Sequence, residues 1–153
     1  MATLWRSAVA DFTVVELAAA ETHPLRLAVL RADTPTKVLT FDGDDVPGTV
    51  HLGVRDGDTI VAVSTWIPGR FGDEPAVQLR GMATAQHLQG HGLGAILIDS
   101  GCERAAKVAS VVWARARDTA LPFYLRHGFA LDGDGFIDET TKLPHHVIVR
   151  RLS

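Results

Sequence analysis

Gln89-Gly90-His91-Gly92-Leu93-Gly94 stands between a strand-like run, Val77 to Ala85, and a helical run, Leu93 to Ala109. Three glycines in five residues at a helix start let the backbone approach a ligand closely and aim several unpaired N–H groups at one point, an arrangement suited to phosphate. Working outward, the helical run carries Asp99, Glu103 and Lys107 on one stripe and Ile98, Cys102, Ala105, Ala106 and Ala109 on another, so one face is wet and one packs on a sheet.

Upstream, Phe12 to Leu17 reads as a strand. Pro24 to Arg31 reads as a helix with proline at its first position, ended by Asp33 to Pro35. Phe41 to Gly48 is turn-rich; its carboxylates Asp42, Asp44 and Asp45 lack the closing Glu of an EF-hand and read as a solvated turn. Thr49 to Arg55 and Thr59 to Trp66 are β-branched runs joined by Asp56-Gly57-Asp58, a hairpin signal, and Pro68 to Pro75 is expected to break the pattern before the next strand. Downstream come a strand, Val111 to Arg117, a short helix from about Ala120 to His127 capped by Gly128, and two closing strands, about Phe129 to Phe136 and His146 to Leu152. Antiparallel hairpins with one strand-helix-strand crossover give an α+β, or mixed α/β, fold.

The chain has 153 residues, 46% of them hydrophobic and 22% charged, which suits one globular domain over residues 1–153. A net charge of −3 and the lack of a Lys/Arg stripe argue against nucleic-acid binding. No apolar run is long enough to span a membrane, and Met1 to Ala10 lacks the pattern of a secretory leader, so a soluble cytoplasmic protein is expected. Cys102 is the single cysteine and reads as a small buried hydrophobe. The His87-x-x-x-His91 spacing is interrupted by Gly90 and has Leu88 where a zinc helix carries Glu, so no metal is expected.

A P-loop requires Lys and Ser or Thr after its last glycine, whereas Gly94 is followed by Ala95 and Ile96. A dinucleotide fingerprint requires a glycine where Leu97 stands, although Arg115 could take a 2′-phosphate; an NADP-binding protein remains the weaker alternative. The loop Gln89-x-x-Gly92-x-Gly94 resembles the Gln/Arg-x-x-Gly-x-Gly/Ala motif of the GNAT superfamily of acyl-CoA N-acyltransferases. Tyr124-Leu-Arg-His-Gly128-Phe129 resembles that family's Tyr followed by Gly-Phe, and Leu143-Pro-His-His146 is similar to a segment of small bacterial ElaA-like members. Either motif alone would serve as a tight connection; together, in order and spacing, they point to function.

The resemblance implies a central, mostly antiparallel twisted sheet of six to seven strands, splayed in the middle and flanked by about four helices. It implies acetyl-CoA as co-substrate, without a metal, and an amine acceptor, either a small molecule or a protein amino group. By this resemblance Gln89, Gly90, His91, Gly92, Leu93 and Gly94 wrap the pyrophosphate, Met82, Ala83 and Thr84 pair with the pantetheine arm, with a bulge expected near Gly81, and Arg117 lies beside it. Tyr124 is the expected acid for the leaving thiolate. The Glu that many relatives carry on the preceding strand is missing, so the base is open among His145, His51 and Glu74. Trp66, Pro68, Arg70 and Phe71 would form a substrate wall or a homodimer contact. A binding module that holds acyl-CoA without turnover is the other class of reading.

Overall fold

The computed structural model describes residues 12–152, so the expectation for Met1 to Ala10 lies outside them. The chain begins with β1 (Phe12–Leu17), followed by a helical segment, α1, made of a 3-10 turn (Ala19–Thr22), an α turn (His23–Leu25) and a π turn (Arg26–Leu30). Then come β2 (Val50–Asp56), β3 (Thr59–Phe71), β4 (Glu74–Thr84), α2 (Leu93–Ala105) and β5 (Val111–Arg117). The remainder is α3 (Leu121–Arg126), β6 (Ala130–Leu131), β7 (Phe136–Ile137) and β8 (Pro144–Arg151).

These strands form one sheet in the order β1-β2-β3-β4-β5-β8-β6, with β7 also paired to β8. Every pairing is antiparallel except β4 with β5, which α2 connects by a crossover, and a second crossover through α3 carries the chain from β5 past β8 to β6. The fold is therefore α+β with an open, mostly antiparallel sheet and, among the described residues, three helical elements where about four were expected.

α2 lays Leu93, Leu97, Ile98, Gly101, Cys102 and Ala105 on the sheet, while Asp99, Glu103 and Lys107 face water as their spacing predicts. Burial of each large aliphatic side chain here contributes roughly 1.5–3 kcal/mol. Ala106, expected on the buried stripe, is exposed, because the helix ends at Ala105 and the Ser110 N–H is drawn to the Pro75 carbonyl at the start of β5.

Three expectations are corrected. Pro68 to Pro75 does not break the sheet: β3 and β4 run through it as a long hairpin turning at Gly72-Asp73, with Pro68 opposite Val77 and Pro75 opposite Arg70. Both prolines are tolerated because β2 has ended before Pro68 and β5 begins only opposite Ala76, so each lies where one edge of its strand is unpaired. The single strand expected over Phe129 to Phe136 is two short ones, separated by Asp132-Gly-Asp-Gly135, where Gly133 turns through φ 87°. The turn Phe41 to Gly48 is not simply solvated.

In that turn Asp44 is buried and grips Arg26 with both carboxylate oxygens, at 2.8 and 2.9 Å. Arg26 also donates to the Leu39 carbonyl at 2.7 Å and to the Thr65 hydroxyl at 2.8 Å. Burial pushes the Asp44 carboxyl up, but hydrogen bonds from Arg26 and the Phe41 N–H, with the Arg26 charge, outweigh it and hold the group below its ordinary range. This ion pair fastens residues 39–44 over β3 and β4. It sets one wall of the site.

Candidate active site

β4 and β5 pair through only three positions, Ala76 with Val111, Val77 with Val112 and Gln78 with Trp113. Beyond Gln78 the strands separate, leaving one backbone edge of β4 free from Leu79 to Thr84. Opposite β3 the register steps from Thr65–Arg80 to Val63–Ala83, so β4 carries an extra residue there, as the glycine at 81 predicts. Gly81 adopts φ 62°, and a Cβ on it would stand 2.7 Å from the Phe41 ring. Arg26 stacks over the same ring at 3.9 Å and Arg80 at 4.5 Å.

At the end of β4 a 3-10 turn (Gln86–Leu88) leads into the glycine loop. Gly90 and Gly92 take φ 84° and 85°, with open space beside both, so a ligand can approach their backbone. Gly94 serves packing instead, since a Cβ there would meet the Phe123 ring at 2.9 Å and its smallness lets α2 close onto α3. Of the six N–H groups named from the sequence, two are already engaged, Gln89 with Gln86 and His91 with Leu88. The Gln89 side chain donates to the Thr84 carbonyl at 3.2 Å, and the His91 ring nitrogen contacts the Leu88 and Gln89 carbonyls. The N–H groups of Gly90, Gly92 and the first turn of α2 stay available at its positive end.

A cavity of about 510 Å³ lies at this loop, lined by Met82, Ala83, Thr84, Gln89, Gly90, Gly92, Leu93, Gly94 and residues of α3. His91 does not line it. A second cavity of about 380 Å³ opens in the splay, with Phe41, Arg80, Trp113, Arg115, Asp138 and His145 in its wall. The two share three lining residues, Met82, Ala120 and Tyr124.

Tyr124 is buried on α3 between the rings of Phe123 and Phe129, both edge-on at 5.2 and 5.5 Å. Burial pushes its phenol up to about 12, so it is protonated throughout neutral pH. His145, on β8, is buried beside the second cavity with Nδ1 2.9 Å from the Leu143 carbonyl. With Nδ1 donating that bond, Nε2 is the acceptor.

The other sequence candidates separate clearly. His51 lines neither cavity; its Nδ1 is bonded to the Thr65 hydroxyl at 2.8 Å inside the Arg26–Asp44 cluster. Glu74 lies at the start of β4 and is paired with Arg151, whose hydrogen bonds hold its carboxyl below the ordinary range. Arg117 lines the splay cavity, not the loop; it donates to the Leu30 carbonyl and stands 3.6 Å from Asp33. Arg115 also lines the splay cavity, so it is not placed to take a phosphate from a dinucleotide on the loop.

The expected substrate wall is elsewhere too. Trp66 is buried, with its indole N–H on Ser64, and Phe71 stacks on Trp113 at 5.4 Å. The sequence reading missed Phe41, Arg31, Arg80 and Trp113 in the splay and Arg126 at the loop cavity. Only the alternation of β4 and β5 could have found Arg80 and Trp113, since both stand on strand faces turned away from α2. Among the described residues, no group of three His, Cys, Asp or Glu is placed to hold a metal ion, and no helix is long and apolar enough to cross a membrane. Cys102 is buried on the sheet-facing side of α2, and desolvation raises its thiol above the ordinary value, which leaves it a poor nucleophile.

Residues 8–129 match the acetyltransferase (GNAT) family. An uncharacterized N-acetyltransferase of Bacillus subtilis (strain 168), YitI, is 24% identical over 133 residues, covering 84% of this chain and 88% of that protein. A Lactobacillus plantarum protein, solved as a proposed N-acetyltransferase, superposes with a TM-score of 0.78 at 17% identity, covering 94% of this chain and 99% of the other. ElaA of Escherichia coli superposes with a TM-score of 0.74 at 20% identity, over 92% of this chain and 99% of its own.

Proposed function

The chain belongs to the acetyltransferase (GNAT) family, and on that premise we propose that it transfers an acetyl group from acetyl-CoA to a primary amine by direct attack in a ternary complex. The observation that carries this reading is the meeting of the loop cavity and the splay cavity at Met82, Ala120 and Tyr124. Donor and acceptor enter from different cavities and react where the two join.

The pyrophosphate rests on the N–H groups of Gly90, Gly92, Leu93 and Gly94 at the positive end of α2, with Arg126 at the rim. The pantetheine arm runs along the free edge of β4 at Met82, Ala83 and Thr84, adding its amides as a further strand would. The thioester carbonyl then lies at the junction. Holding both reactants there supplies the proximity that makes the attack effectively intramolecular.

The amine nitrogen bonds to the carbonyl carbon as the carbon–sulfur bond breaks. One amine proton passes to Nε2 of His145, directly or through water, and Tyr124 gives its proton to the departing CoA sulfur. Burial makes Tyr124 a weaker acid than a free phenol, but the same apolar surroundings raise the basicity of the thiolate, whose reference pKa is about 8.5. The products are an amide and CoA.

Ligand-dependent thermal stabilisation tests the donor assignment. CoA should raise Tm where NADPH at the same concentration does not. Stabilisation by NADPH in preference to CoA would replace this reading with the dinucleotide one.

A further inference from the structure

The wall of the splay cavity carries an excess of positive charge. Four guanidiniums, Arg31, Arg80, Arg115 and Arg117, line it against one carboxylate, Asp138, in a chain whose net charge is −3. That carboxylate is already engaged: one oxygen accepts from the N–H groups of Thr140 and Thr141 and from the Thr141 hydroxyl. Arg117 is partly satisfied by Leu30 and Asp33, and Arg31 by the Val38 carbonyl at 3.0 Å.

Arg80 and Arg115 are different. Among the described residues neither has a carboxylate within salt-bridge reach, although Arg26, Arg104, Arg117 and Arg151 each have one. Arg80 is half-buried with its guanidinium 4.5 Å from the centre of the Phe41 ring, and the charges of Asp42 and Asp44 act on it only from beyond salt-bridge distance. The crowding of like charge is felt within the cluster: after burial, the charges of Arg117 and Arg80 are the main influences holding Arg31 below its ordinary value. Concentrating like charge around a partly enclosed space is unfavourable for the empty fold and is relieved by an anion.

We propose that the acceptor is a small anionic amine, a primary amine carrying within a few bonds of its nitrogen a carboxylate or phosphate group that Arg80 and Arg115 receive. Guanidinium forks suit either oxyanion, since both offer two coplanar oxygens. The same field assists the chemistry, because positive surroundings disfavour an ammonium and so release the neutral nucleophile. Polycationic amines and lysine-rich protein tails are selected against. This inference rests on the acyl-transfer reading and adds the acceptor's charge to it.

Calorimetric titration of the CoA-saturated chain with glutamate, phosphoserine, phosphoethanolamine, ethanolamine and cadaverine tests it without requiring turnover. An anionic member should bind at least tenfold more tightly than ethanolamine and cadaverine, and whether glutamate or phosphoethanolamine wins identifies the group. Arg115→Gln, an exposed position that the fold does not depend on, and Arg80→Gln should each weaken that binding at least fivefold while CoA affinity stays within twofold. Cadaverine binding as well as every anionic member, no binding of any anionic member, or unchanged affinity in Arg115→Gln would overturn the inference. Thiol release from acetyl-CoA, run in parallel, separates the two readings. Anion binding without thiol release from any amine removes acyl transfer and leaves the anion site, whereas release fastest with cadaverine removes the anion site and leaves acyl transfer.

Discussion

The Tyr124 hydroxyl lies 3.8 Å from the Met82 sulfur and has no other hydrogen-bond partner among the described residues. A thioether is a weak acceptor, so a buried donor has been left nearly unsatisfied where the two cavities join. A group kept in that state suits a partner that arrives with the substrate. Tyr124→Phe should therefore lower kcat at least tenfold, leave CoA affinity within twofold and change stability by less than about 1 kcal/mol. Steady-state kinetics with a CoA titration check this, and near-normal kcat would refute the acid role.

The same residue predicts a dependence of stability on alkaline pH. Its folded value, about 12, is above the unfolded reference of about 10, so between the two the native state binds more protons than the unfolded state and stability falls as pH rises. By pH 11 this amounts to about 1.4 kcal/mol. Urea unfolding at pH 9 and pH 11 should show wild type losing that much more than Tyr124→Phe. Equal losses would place the phenol in water.

Asp44→Asn should destabilise the fold by about 3–5 kcal/mol, because it leaves the Arg26 guanidinium buried without its counter-charge. The carboxyl is held below its unfolded value, so its contribution is present above about pH 3.9 and is lost as pH falls through the folded value. Denaturant midpoints of wild type and Asp44→Asn should thus converge in acid. A constant gap down to pH 2 would show that the charge pair is not the source of the loss.

His145 and His51 are both buried histidines with one nitrogen bonded, yet only His145 lines a cavity. His145→Gln should lower kcat at least tenfold while leaving CoA affinity within twofold. His51→Gln should leave kcat near that of wild type and instead weaken the fold through Thr65. The reverse pattern would move the base to His51.

These outcomes depend on residues with unequal visibility in the sequence. The glycine loop, its flanking strand and helix, and Val111 to Arg117 were legible because their periodicity and glycines are local signals. The bulge was legible from Gly81 alone. Asp44 was not, because its partner Arg26 is 18 residues away and nothing local distinguishes a carboxylate in a turn from one in a core ion pair. Likewise Pro68 and Pro75 reveal their tolerance only once the neighbouring strands are seen to end beside them. The arginines of the splay cavity come from the residue after α1, from β4 and from β5, and only the fold brings them together.

Thiol release from acetyl-CoA tests most directly whether donor and acceptor react at the Tyr124 junction. With an amine panel spanning anionic, neutral and cationic members, wild type should release CoA in step with amide formation. Gly92→Ala should raise KM for acetyl-CoA at least fivefold, because φ 85° strains alanine by roughly 1–2 kcal/mol at a residue that lines the loop cavity. CoA bound tightly by wild type, with no thiol released above hydrolysis for any amine, would rule out acyl transfer at the junction and make the chain a binding module.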